Sequence, residues 1–320
     1  MIGRALLTIA LLASGSLPFS QVADIALPGK PTRLDYQSLD ERKHLLFVAH
    51  LGDSEVLAFD TKSRRVIARI RNVSRVHGML ALPERNVVYA SATGTNEIVA
   101  IDEATLEIVA RIPGGVYPDG MAFDPQTQRL YVSDERGRTE TAIDTRSNTR
   151  IATIELGGEA GNTQYDPVSR HMFVNVQTLG ELFEIDPATN AIVARTSVPG
   201  CSGNHGLLLD ARRRRAFIAC EDNATFLWLD MPRMTVRQKW AIGDDPDVLA
   251  LDRQTEMLYV AAESGVVSVF SDGRTVTRVA QKFLAPAAHT VAVDSQTHLV
   301  YFALENVAGR PVLRILKERP

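Results

Sequence analysis

One pattern constrains this chain more than any other: a short β-rich segment that recurs seven times at nearly constant spacing. The copies are LFVAH from Leu46, VYASA from Val88, LYVSD from Leu130, MFVNV from Met172, AFIAC from Ala216, LYVAA from Leu258 and VYFAL from Val300. Successive starts are separated by 42, 42, 42, 44, 42 and 42 residues. The second position is aromatic each time: Phe47, Tyr89, Tyr131, Phe173, Phe217, Tyr259 and Tyr301. Such a period marks a repeat architecture in which each unit buries its faces against its neighbours.

Each unit has the same internal order. An apolar strand ends in a turn such as DPQTQR (Asp124 to Arg129), and the aromatic strand follows. A polar loop leads to a third strand, for instance IVAID ending at Asp102, and a second turn leads to a fourth, IVARI (Ile108 to Ile112). Val, Ile and aromatic runs bounded by Asp, Thr and Gly read as strands and turns. Four short strands per unit make one blade of a β-propeller, so seven units make seven blades. The last unit stops after its third strand, VLRIL (Val312 to Leu316). VADIAL (Val22 to Leu27) precedes the first unit where other units have a fourth strand. The reading is therefore an all-β, seven-bladed propeller of four antiparallel strands per blade. Its ring is closed by the N-terminal strand, and residues 21–320 form a single domain.

The first 20 residues read as a secretory signal peptide: Arg4 stands ahead of the short apolar run Ala5 to Ala13, followed by small residues. A periplasmic or secreted location is expected, and no later stretch is long and apolar enough for a transmembrane helix. An oxidising compartment permits a disulfide between Cys201 and Cys220, whose strand ends fall on one rim. The formal net charge of -3 shows no basic excess that would point to nucleic acid or an anionic membrane, and it weighs against nucleic acid as a partner. A closed ring needs no partner to cover sheet edges, so a monomer is expected.

The register also places one residue of each blade at the mouth of the central channel, eleven positions before each anchor. These are Asp35, His77, Asp119, Gly161, His205, Asp247 and His289. Imidazoles converging from three blades suit a divalent metal such as Zn, Cu or Fe, with His77, His205 and His289 as ligands. Asp35, Asp119 and Asp247 are then candidates for a catalytic base or for partners that orient the imidazoles. An Asp or His at such a position can equally serve to bond a backbone amide of the adjacent blade. Arg33, Arg75, Tyr117 and Asn204 flank the mouth as ligand-binding candidates, the arginines suited to anionic groups. Glu159, Asn162, His50, Asp134, Glu221 and Glu263 add polar groups on the same rim. RRRR (Arg212 to Arg215) falls in a turn on the opposite rim and reads as a solvated basic spot, and His44, His171 and His298 read as surface residues there.

The stretches YPDGMAFDPQTQRLYVSD (Tyr117 to Asp134) and AIDEATLEIVARIPGG (Ala100 to Gly115) resemble the repeats of exported YncE-like, or YVTN-repeat, seven-bladed propellers. The resemblance covers essentially the whole mature chain. It implies the propeller fold and an extracytoplasmic binding role, with nucleic-acid binding suggested for some members. Three functions are thus in view: capture of a small molecule or protein over the His/Asp-lined mouth, metal-dependent lyase or hydrolase activity, and, by resemblance alone, nucleic-acid binding. No nucleophile elbow, phosphate-binding loop or dinucleotide fingerprint is present.

Overall fold

The computed structural model describes residues 17–319; the leader expected over residues 1–20 lies outside them except for its last four positions. The strands form seven four-stranded sheets, each antiparallel throughout. Blade 5 is typical: Asn204–Asp210, Arg215–Cys220, Thr225–Asp230 and Thr235–Ala241, running from the channel outwards. Burial follows this order. The second strand of blade 1, LLFVAH, is buried at every position, whereas its outermost strand, RVIARIR, alternates between exposed and half-buried apart from buried Ile70. Inner strands are largely buried because neighbouring blades cover both their faces; outer strands meet water.

The ring closes as expected, with one extension. Phe19–Ala26 pairs with Arg310–Glu318, from Phe19 opposite Glu318 to Ala26 opposite Val312. The strand thus begins at Phe19, and that ring packs 5.5 Å from Tyr259 of blade 6. Phe19 and Ser20, which the sequence reading assigns to the leader, lie in the closing strand.

The seven aromatic anchors are at most 2% exposed, which places them between sheets. Tyr89 and Tyr131 also donate their hydroxyls to Asn148 and Asn190 of the following blades, each at 2.6 Å. A buried tyrosine needs such an acceptor, so these bonds tie blade to blade. Beneath them, Asp40, Asp124, Asp166, Asp210, Asp252 and Asp294 each accept a backbone N–H from the turn that follows.

The Arg212 to Arg215 turn is not a solvated basic spot. Arg214 pairs with Asp166 of blade 4 at 2.6 Å, and Arg212 pairs with Glu256 of blade 6 at 3.2 Å. Arg213 also bonds Glu256. Arg215 is buried; it bonds Asp272 and donates to the carbonyls of Gly273 and Arg274, each at 3.0 Å. Each of the four arginines meets a carboxylate of a neighbouring blade, because the turns converge between blades. His171 and His298 are likewise engaged, at 2.6 Å from Glu184 and 2.7 Å from Asp252. At the other rim a disulfide joins Cys201 to Cys220, with Cα atoms 5.4 Å apart. It pins the loop before blade 5 to the end of that blade's second strand.

Candidate functional site

The mouth is shaped by a repeated irregularity. In blades 2 to 6 the pairing of first and second strands slips between Val76 and Met79, Pro118 and Met121, Ala160 and Thr163, Asn204 and Leu207, and Pro246 and Leu249. Each slip spans the mouth residue: His77, Asp119, Gly161, His205 or Asp247. Bulges of this kind bend a strand and re-aim its side chains. Neighbouring first strands also approach closely here. A Cβ on Gly78 would lie 2.0 Å from the Asp119 carbonyl oxygen, and one on Gly206 would lie 2.3 Å from that of Asp247. Two residues upstream of the mouth position, Arg75, Tyr117 and Asp245 adopt φ of 45°, 63° and 56°. The same left-handed backbone recurs at tight turns in every blade, so here it marks the turn that leads into the first strand. All three of these residues line the mouth.

Together these features enclose a polar cavity of about 240 Å³. Seven carboxylates line it, from Asp35, Asp119, Glu135, Glu221, Asp245, Asp247 and Glu263, against two guanidinium groups, Arg33 and Arg75. Tyr36 of blade 1 reaches across the channel and donates to Asn162 Oδ1 of blade 4 at 2.7 Å, flooring the cup. Sequence reasoning missed Tyr36, Glu135, Gln177 and Asp245. Stepping back from Glu263 and Glu221 by the repeat spacing lands on Gln177 and Glu135, so the signal was present. Tyr36 carried none, because only the closed ring brings blades 1 and 4 face to face.

The three mouth histidines have different surroundings. His77 Nδ1 donates to the Arg75 carbonyl at 2.8 Å, which leaves Nε2 to accept the Tyr117 hydroxyl at 3.1 Å. Burial lowers its pKa, and both nitrogens are already used. His205 Nδ1 lies 3.0 Å from Gln177 Oε1 and 3.4 Å from Glu221, while Nε2 lies 3.6 Å from Asp247. His289 is fully buried with Nδ1 3.3 Å from Glu263, yet neither ring nitrogen makes a hydrogen bond within the protein.

Two sets of ligand atoms could hold a metal ion at the mouth: His205, Glu221 and Asp247; and His289, Asp35 and Asp247, each within 4.8 Å of one another. The expected three-histidine centre is not what the fold assembles. His77 belongs to neither set, and His205 and His289 share no set but share Asp247. A third set, His50, Asp53 and Glu55, lies outside the cup, where Arg69 already grips Glu55 at 2.7 and 3.0 Å.

Electrostatics follow from burying so many like charges. Burial pushes the Asp119 and Asp247 carboxyls well above the usual range; Asp35 adds repulsion on both, while His205 and His289 pull Asp247 back down. Burial also lifts Glu221 to about 7. For His205, burial opposes the charged form but the carboxylates of Glu221, Asp247 and Asp119 outweigh it, raising the imidazole to about 9. His289 is likewise raised to about 9 against its burial, by Glu263, Asp35 and Asp247. Glu263, despite burial, is held at about 2 by His289 and Arg33.

The remaining candidates divide. Asp119, Arg75 and Tyr117 line the cup. Arg33 does too, but its charge is spent on Asp35 at 3.0 Å and Glu263 at 2.6 Å, so it is not a free grip for an anion. Asn204 is fully buried behind the mouth, donating to Asn175 Oδ1 at 3.1 Å and the Glu181 carbonyl at 2.9 Å. Its role there is to brace blade 5 against blade 4.

Fold and site together define a seven-bladed β-propeller with an acidic, histidine-bearing cup at one mouth of its channel. No protein-family model matches the chain, and no curated protein matches it. Solved structures match in fold. Kuenenia stuttgartiensis hydrazine synthase aligns with a TM-score of 0.74 at 14% identity, over 87% of this chain and 94% of that one. The WD40 repeats of RRP9 align with a TM-score of 0.78 at 11% identity, over 94% of this chain and 100% of that one. A chain of the mitotic checkpoint complex gives 0.78 at 9% identity, over 99% of each. At such identities the likeness is one of fold alone, and function has to be argued from the site.

Proposed function

We propose that this chain is an exported binding propeller whose channel mouth captures a small cationic ligand, a divalent metal ion foremost. The observation that carries the reading is the charge imbalance of the cup, seven carboxylates against two guanidinium groups, one of which is already paired. Buried carboxylates without partners are costly unless a cation meets them. Asp119 Oδ1 and Asp247 Oδ1 are buried and without a hydrogen-bond partner. Imidazole with carboxylate suits Zn²⁺, Fe²⁺ or Mn²⁺ better than a soft, thiolate-seeking ion. The same imbalance repels phosphate, which weighs against nucleic acid. Export is supported by the leader pattern, by the resemblance to exported YncE-like repeats and by the paired cysteines.

A metal-dependent hydrolase or lyase is the second reading, favoured by Asp119. This carboxyl lines the cup, belongs to neither ligand set and has its proton affinity raised, first by burial. Those are the attributes of a general base beside a metal.

Calorimetric titration with Zn²⁺ and Mn²⁺ tests the binding reading. Saturable uptake that is abolished in Asp247→Asn is expected. Absence of uptake by the wild-type protein for every divalent ion tried overturns it.

A further inference from the structure

The two ligand sets are not alternatives for one ion. Each contains one imidazole, and the two imidazoles belong to no common set, so a single ion cannot take both. Asp247 belongs to both sets, and its Oδ1 is buried and without a hydrogen-bond partner. His289 is fully buried with both ring nitrogens unbonded, an arrangement that a metal ligand would relieve. Asp35 gives one oxygen to Arg33 and keeps the other.

We infer that Asp247 bridges two divalent cations, one held with His205 and Glu221 and the other with His289 and Asp35. The inference rests on the reading that the mouth binds divalent metal, and it deepens that reading by fixing the number of ions and the residue they share.

Charge supports two ions over one. With both imidazoles neutral, the lining carries an excess of five negative charges. One divalent ion leaves three, and a second leaves one. Gln177, 3.0 Å from His205 Nδ1, holds that ring between its two carboxylates, with Nδ1 3.4 Å from Glu221 and Nε2 3.6 Å from Asp247. Glu263 lies 3.3 Å from His289 Nδ1 and faces the other ring without a hydrogen bond to it. Each half-site thus has an imidazole, its own carboxylate and a share in Asp247. A bridging carboxylate between two cations is the arrangement by which paired-metal sites clamp oxyanionic ligands. Arg75 lines the same cup and is placed to meet such an anion.

The test is metal stoichiometry on the purified full chain dialysed against Zn²⁺ at alkaline pH, read by elemental analysis. Circular dichroism and thermal unfolding check that each variant is folded. Two equivalents are expected for wild type and one each for His205→Gln and His289→Gln. Asp247→Asn is expected to lose both at Zn²⁺ concentrations that saturate the wild type. One equivalent in the wild type overturns the inference and leaves the binding reading standing; none overturns both. Retention of one full-affinity equivalent by Asp247→Asn overturns the bridge. If Asp247→Asn does not fold, electron paramagnetic resonance of the Mn²⁺-loaded wild type decides. Exchange-coupled ions support the bridge, and isolated six-line spectra overturn it.

Discussion

At the scale of single residues, chemically equal side chains at equivalent positions carry different roles. His77, His205 and His289 occupy one register, yet His77 is closed off by Arg75 and Tyr117 whereas the other two face carboxylates. Replacing His77 with Gln is expected to leave Zn²⁺ stoichiometry unchanged and to lower stability by about 1 kcal/mol, the usual net value of a lost hydrogen bond. Denaturant unfolding together with elemental analysis checks both parts. Arg215 makes the opposite case. It lies in a run that looks like surface charge but is buried against Asp272, with its guanidinium 5.0 Å over Trp228. Arg215→Ala leaves the buried Asp272 carboxylate with only Arg213, 4.0 Å away, and should cost about 3 kcal/mol, measured as a shift of the urea midpoint. Arg212→Ala, whose ion pair is exposed, should cost well under 1 kcal/mol by the same measurement.

At the scale of elements, the strand order was legible because anchors, turns and periodicity repeat in every unit. The mouth position in each blade was legible for the same reason. The bulges were not, since a slip of pairing register depends on contact with the next blade rather than on local composition. Gly206 shows how the two levels meet. In sequence it is one glycine before a leucine run; in the fold it is the gap that lets blade 6 bring Asp247 beside His205. Gly206→Ala would force a Cβ against the Asp247 carbonyl. It is expected to destabilise the protein by about 1 to 3 kcal/mol, as overpacking does. It should also weaken metal uptake, because Asp247 must shift. Unchanged affinity in a calorimetric titration of this variant would show that the close approach does not position the site.

At the scale of the whole molecule, the mouth couples stability to pH. His205 and His289 rise from the ordinary 6.5 to about 9 on folding, so the stability they contribute is full below 6.5 and is lost as pH rises through about 9. Glu221, raised from 4.5 to about 7, acts in the same direction over a lower window, lost as pH rises through about 7. Glu263, depressed from 4.5 to about 2, contributes above 4.5 and loses its part only as pH falls through about 2. The metal-free protein should therefore weaken from neutrality toward about pH 9, and urea midpoints across that range check it. Metal uptake should strengthen over the same range, because ions displace the protons that hold the mouth together. Ring closure offers a second test. Removing residues through Ala26 deletes the fourth strand of blade 7 and bares the sheet edge at Arg310–Glu318. Loss of a single cooperative unfolding transition and a rise in aggregation are expected, seen by calorimetry and light scattering.

The sequence by itself determined the number of blades, their strand order, the closing strand and the mouth position of each blade, because each of these is written in periodic local pattern. Tertiary structure alone decided that His77 is occupied, that Asn204 braces rather than binds, that the arginine turn is paired, and that His205 and His289 meet through Asp247. The physical reason is distance: those contacts join different blades, or different loops, and exist only once the ring has closed.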